Sequence, residues 1–136
     1  MHEWALAEAV ISTAVKVAER EKLTKVSKIR VRMGELQQID REIFEFALRE
    51  MAGSEGGVLE GVRVEFEDER AVLKCRICGY EWTFGEAIGG LSEEESESIH
   101  FVPEIAHVYI RCPRCKSPDF EIIKGRGVSI ESIEGE

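Results

Sequence analysis

Residues 3–22, EWALAEAVISTAVKVAEREK, place apolar side chains three and four apart: Leu6, Ala9, Val10, Thr13, Ala14 and Val17. That period predicts an amphipathic helix, with Glu3 suited to its positive end and Lys22 to its negative end. KVSKIRVRMG switches to a period of two: Ile29, Val31 and Met33 alternate with Lys28, Arg30 and Arg32, which predicts a half-buried strand. A second helix is predicted over 41–52, capped by Asp40, with Ile43, Phe44, Ala47, Leu48 and Met51 as its stripe and GSEGG as its end. VRVEFED alternates again, Val62, Val64 and Phe66 against Arg63, Glu65 and Glu67. Farther on, FEIIKGRGVSIESI predicts two strands joined by a Gly125-Arg126-Gly127 turn.

Helix, strand, helix and strand come first, a cysteine-bearing stretch interrupts them, and strands resume. The pattern predicts an α+β fold, two helices on a small three-stranded sheet, with an inserted four-cysteine zinc-ribbon-like module. The predicted domains are 1–69 with 118–136, and 70–117. Trp4 is the expected anchor of the first helix on the sheet. The acidic run LSEEESES, residues 91–98, is expected as a solvated loop or a frayed helix.

Composition narrows the function classes. The 136 residues, 43% hydrophobic, suffice for one core with a small satellite. No apolar run is long enough for a membrane span, and no basic stretch precedes an apolar one as in a secretory signal, so a soluble cytoplasmic protein is expected. The net charge of −9 argues against binding nucleic acid through its phosphates. High charge with no Asn and two Gln is a composition found in hyperthermophiles.

The four cysteines form two Cys-x-x-Cys pairs, Cys75 with Cys78 and Cys112 with Cys115. Two intervening residues let the chain curl so that both thiolates of a pair reach one ion, and two such knuckles make a closed tetrahedral site for Zn(II) or a similar thiophilic ion. The 33-residue spacer between them is long for a zinc ribbon. Tyr80, Trp82, Phe84, Phe101 and Tyr109 offer a small core around the ion. A redox role for one pair is the alternative, and it needs a cysteine with a depressed pKa and no metal partner.

Three histidines remain. His107 is expected as a surface or zinc-adjacent residue, and His100, after the acidic run, as one free to reach a second ligand set. His2 stands directly behind Met1. The Met1 amine, the His2 backbone nitrogen and the His2 Nδ1 form fused chelate rings, with a fourth donor from the Glu3 backbone nitrogen or a side chain. Amine and deprotonated amide donors impose a square-planar field that selects Ni(II) or Cu(II). Large His2 is expected to keep Met1 in place. Neither a phosphate-binding G-x-x-x-x-G-K-[ST] loop nor a catalytic triad stands out, so a non-enzyme is expected.

MHEWALAEAV, VRMGELQQID, KCRICGYEW and CPRCKSPDFEIIKGRGV together resemble the HypA/HybF family of hydrogenase maturation proteins, of archaeal type, over essentially the whole chain. The resemblance implies a nickel metallochaperone that works with a HypB-type GTPase and serves the large subunit of [NiFe] hydrogenase; monomer, homodimer and domain-swapped forms are all open in the sequence. It implies a nickel site at Met1, His2 and Glu3 with His100 as a completing or modulating ligand, and structural zinc at Cys75, Cys78, Cys112 and Cys115. Lys116 departs from the family pattern, which has Gly there. A zinc-ribbon adaptor or regulator, built on Arg76, Arg111, Arg114 and Lys116, is the alternative from another class.

Overall fold

The computed structural model describes residues 2–37 and 39–136, with the side chain of Phe101 also outside the description. Two compact units divide the chain: residues 1–32, 39–67 and 129–136 in one, 33–38 and 68–128 in the other.

In the first unit, α1 (Glu3–Arg20) and α2 (Arg41–Glu55) pack on each other, and β2 (Arg63–Glu69), β1 (Val26–Gly34) and β6 (Val128–Gly135) form a sheet in that order. The Asp40 side chain accepts the Ile43 N–H at 3.1 Å, so α2 begins at the predicted cap and runs on to Gly56, through the serine and glutamate expected to break it. β1 alternates as predicted, with Ile29, Val31 and Met33 buried.

The outer face of the sheet is an acid–base–acid ladder. Lys28 and Arg30 of β1 meet Glu65 of β2 at 3.4 and 3.5 Å, and Arg32 meets Glu131 of β6 at 3.1 Å. Burial pushes the Glu65 carboxyl up, but Lys28 and then Arg30 outweigh it and leave it below its ordinary range. The neighbouring Glu131 raises Glu67, and Glu67 as hydrogen-bond partner lowers Glu131.

The stripe of α1 differs from the predicted one. Ala7, Val10, Ile11, Ala14 and Ala18 are buried, while Ala9 and Thr13 face solvent. Alanine supplies the ambiguity: with several alanines at overlapping three- and four-residue spacings, hydropathy does not fix the face. Close helix packing does, by seating the small residues at the contact. Trp4 is also not the expected anchor on the sheet. It is 47% exposed and meets Phe46 of α2 edge-on, ring centres 6.1 Å apart.

In the second unit, β4 (Glu81–Thr83), β3 (Val72–Cys75) and β5 (Phe120–Lys124) form an antiparallel sheet in that order, with Leu73 opposite Trp82 and Ile122, and Cys75 opposite Phe120. The short helices α3 (Phe84–Ala87) and α5 (Ala106–Tyr109) and the longer α4 (Glu93–Phe101) surround it. Leu36, Leu73, Trp82, Phe84, Ile99, Ile110 and Phe120 share one core with Cys75 and Cys112.

Two expectations are decided here. Of the two alternatives for the acidic run, a helix forms and the loop does not, and its start is capped, not frayed: Ser92 and Glu95 close a capping box at 3.2 and 2.9 Å, and Glu93, Glu94 and Glu95 sit where the helix dipole favours acids. The terminal hairpin is absent. β5 pairs with β3 and β6 with β1, in different sheets, because Gly125–Gly127 is held by Leu36, whose N–H donates to the Gly125 carbonyl at 2.7 Å.

Candidate metal centre

The two knuckles repeat one set of contacts. The N–H groups of Ile77 and Cys78 donate to Cys75 Sγ, both at 3.4 Å, and those of Arg114 and Cys115 to Cys112 Sγ at 3.4 and 3.5 Å. Gly79 N–H returns to the Cys75 carbonyl at 3.0 Å, and Lys116 N–H to the Cys112 carbonyl at 2.9 Å. Cys75 and Cys112, which accept these bonds, are buried; Cys78 and Cys115 are exposed.

The four Sγ atoms lie within 4.8 Å of one another, with Cys75 and Cys115 at 3.5 Å and Cys78 and Cys112 at 3.6 Å. A tetrahedral ion with bonds of about 2.3 Å to sulfur has S···S edges of about 3.8 Å, so the sulfur cage fits such an ion. The N–H donors suit thiolates. The amide of Cys78 leads the causes that lower the Cys75 thiol. Burial opposes the same trend at Cys112, but the amides of Cys115 and Arg114 and the adjacent sulfurs bring it down to about 6. At Cys115 the Ser117 backbone favours the thiolate, yet burial and the three other sulfurs push it up to about 12. Four sulfurs this close do not all ionise without a cation between them, and a cation's affinity for them falls as pH falls, because protons compete for the same atoms.

Lys116 holds the turn of the second knuckle at φ 66, matching Gly79 at φ 79 in the first. A non-glycine residue costs about 1–2 kcal/mol in this conformation, set against about 0.5–1 kcal/mol of extra chain entropy lost by glycine. Lys116→Gly is therefore expected to raise the melting temperature of the metal-loaded protein by roughly 2–5 °C. A lower melting temperature in calorimetry contradicts the strain.

The histidines separate. His107 Nδ1 lies 2.9 Å from the Pro118 carbonyl and its ring packs on Phe120, 4.3 Å between centres, so it braces the second knuckle. His100 lies on α4, with its ring edge-on to Phe84 at 5.4 Å. His2 is exposed at the N-cap of α1, its carbonyl accepts the Leu6 N–H at 2.9 Å, and its imidazole makes no capping bond. Glu3 is buried, 7% exposed, and its Oε1 accepts the Asp40 N–H at 3.0 Å. This tie, which sequence reasoning missed, joins the first turn of α1 to the cap of α2; its only sequence signal is an acid at position 3. Met1 lies outside the described residues.

Two concavities among the described residues avoid this chemistry. One, about 500 Å³, is lined by Arg49, Leu59, Val62 and Arg63, and another, about 430 Å³, by Ile11, Val15 and Met51. No helix among the described residues is long and apolar enough to cross a membrane.

Comparison with known proteins gives one consistent result. The family model described as "Hydrogenase/urease nickel incorporation, metallochaperone, hypA" matches residues 1–135. A hydrogenase maturation factor HypA from Pyrococcus horikoshii is 48% identical over 98% of this chain and 95% of its own. One from Thermococcus onnurineus is 47% identical over the same shares. The solution structure of the Ni metallochaperone HypA from Helicobacter pylori superposes with a TM-score of 0.65 at 20% identity, covering 99% of this chain and 97% of that one, a likeness of fold.

Proposed function

The chain belongs to the HypA family of hydrogenase maturation factors and nickel metallochaperones, and from that premise we propose that it carries Ni(II) at its amino-terminal end and delivers it to the large subunit of [NiFe] hydrogenase. The observation that supports this most is His2: exposed, at the first turn of a helix, with an imidazole that makes no capping bond. The Met1 amine, the His2 backbone nitrogen and the His2 Nδ1 are three donors in fused rings, and a side chain or water fills the fourth position. Amides in the first turn lie outside the helix's i→i−4 ladder, so deprotonating them breaks no ladder bond. Deprotonating the His2 amide halves the formal charge of the Ni(II) chelate to +1, which weakens the helix dipole's objection to a cation at this end. The Glu3 carboxylate accepts the Asp40 N–H and ties the first turn of α1 to the start of α2. His100 packs edge-on against Phe84 within the second unit.

Cys75, Cys78, Cys112 and Cys115 hold Zn(II), which, with all four positions filled by thiolates, supplies folding energy and no chemistry. The partners are a HypB-type GTPase, which supplies nucleotide hydrolysis, and the hydrogenase large subunit. The compartment is the cytoplasm, where thiols stay reduced. His2→Ala is expected to weaken nickel binding on the order of 100-fold, about 2.7 kcal/mol on the affinity scale, with the zinc content unchanged. Unchanged nickel affinity in calorimetry removes His2 from the site.

A further inference from the structure

Three large apolar side chains crowd the amino-terminal ends of α1 and α2 and remain in solvent: Trp4 47% exposed, Ile43 45% and Phe46 58%. Trp4 and Phe46 touch edge-on at an interplanar angle of 82°, and Ile43 is one turn before Phe46 on the same helix. Half-exposed aromatics of this size make a patch on the order of 300 Å², at the scale where a monomer's largest apolar patch is often functional. An aromatic pair that served only to join the helices has no reason to stay half in water.

The rim of the patch is mainly acidic. Glu8 is one turn beyond Trp4, and Glu42 and Glu50 are one turn either side of Phe46, all three exposed. Arg49, also exposed and three residues past Phe46, stands over the Phe66 ring at 5.4 Å, and Arg41 pairs with Glu45 at 3.8 Å. An apolar centre within an acidic rim fits a protein face with an apolar pocket ringed by Lys and Arg. Trp4 is two residues past His2, about 3 Å of helix rise. A protein seated on Trp4 therefore lies against the nickel end, where ligand exchange needs it.

We propose that Trp4, Ile43 and Phe46, rimmed by Glu8, Glu42 and Glu50, form the docking surface for the nickel acceptor, the hydrogenase large-subunit precursor, through a basic-rimmed apolar pocket on that protein. The choice of partner rests on the nickel-delivery reading. The surface rests on exposure and charge. Trp4 and Phe46 supply the rigid, low-entropy anchors that dominate interfaces, and the acids supply steering that salt weakens.

The test uses the full-length, zinc-loaded, nickel-free chain and the purified large-subunit precursor, with affinity measured by interferometry. Ile43→Ser and Phe46→Ser are expected to weaken binding about tenfold or more, and Phe46→Tyr to retain it. Raising the salt is expected to weaken the unaltered pair, and less so a Glu42→Gln/Glu50→Gln variant. Thermal melts confirm that the variants fold, and their nickel affinity stays that of the unaltered chain. Unchanged precursor affinity in both serine variants overturns the proposal. So does loss of binding to the HypB-type GTPase alone, or loss of a concentration-dependent dimer with precursor binding intact, which assigns the patch to a second copy of the chain. If the unaltered chain binds no nickel, the delivery reading fails, and the docking result is read separately.

Discussion

Cys112→Ser is expected to empty the thiolate site and unfold the second unit, while the first keeps its helices. Cys112 is fully buried in that unit's core, accepts the amides of Arg114 and Cys115, and lies 3.6 Å from Cys78 Sγ. Structural zinc contributes about 10–16 kcal/mol to small domains of this kind, as much as the whole stability of a typical domain, about 5–15 kcal/mol. Serine at this position leaves three thiolates and a buried hydroxyl, so the ion is lost. Mass spectrometry under native conditions should then find no stoichiometric metal. Trp82, 3% exposed in the same core, should report the unfolding by a red-shifted emission. A chelator should give the same result on the unaltered chain. A metal-free variant with full thermal stability contradicts a structural role.

Gly125→Ala is expected to cost about 3 kcal/mol or more, the sum of overpacking and a left-handed backbone. A Cβ there collides with the Ala71 backbone Cα and N, at φ +84. Backbone atoms do not rotate away. Gly34 faces the same crowding from the other side: its Cβ collides with the Gly125 carbonyl carbon and oxygen. The close approach is fixed by Gly125 N–H donating to Glu69 Oε1 at 2.7 Å and Ala71 N–H donating to Glu35 Oε1 at 2.9 Å. Gly127 is the control: its φ is +79, but nothing lies within 4 Å of its Cβ, so Gly127→Ala should cost only the backbone share, about 1–2 kcal/mol. Urea unfolding compares the two. Equal losses at both positions contradict the contact argument.

The sequence made some of this legible and hid the rest, each for a physical reason. The strand Val26–Gly34 is readable because valine, isoleucine and methionine alternate with lysine and arginine, which leaves no second register. The second helix is readable from its Asp40 cap. The first helix shows its existence but not its face, because alanine sits on both. The cysteine spacing announces a metal cage, since two knuckles with four thiolates have few other uses. The partner of β5 is invisible in sequence. Gly125-Arg126-Gly127 has the composition of a hairpin turn, and the contacts that make it a crossing, with Leu36 and Glu69, come from residues 56 to 91 positions away. Charge alone leaves the acidic run open between a solvated loop and a frayed helix, while the Ser92–Glu95 capping box makes it a helix start. The tie between Glu3 and Asp40 leaves only an acid at position 3 as its signal.

The claim that nickel binds at the amino terminus, through the amine and backbone as well as His2, is tested most directly by adding one residue ahead of Met1. Nickel is titrated into the native and extended chains, both zinc-loaded, with calorimetry and absorption followed together. The native chain should take up one nickel as a yellow, diamagnetic, square-planar complex, with affinity falling as pH falls and protons compete for the amine. The extended chain should lose both the tight isotherm and the yellow band while His2 and all four cysteines remain. Nickel stoichiometry, affinity and spectrum unchanged by the extension contradict the account.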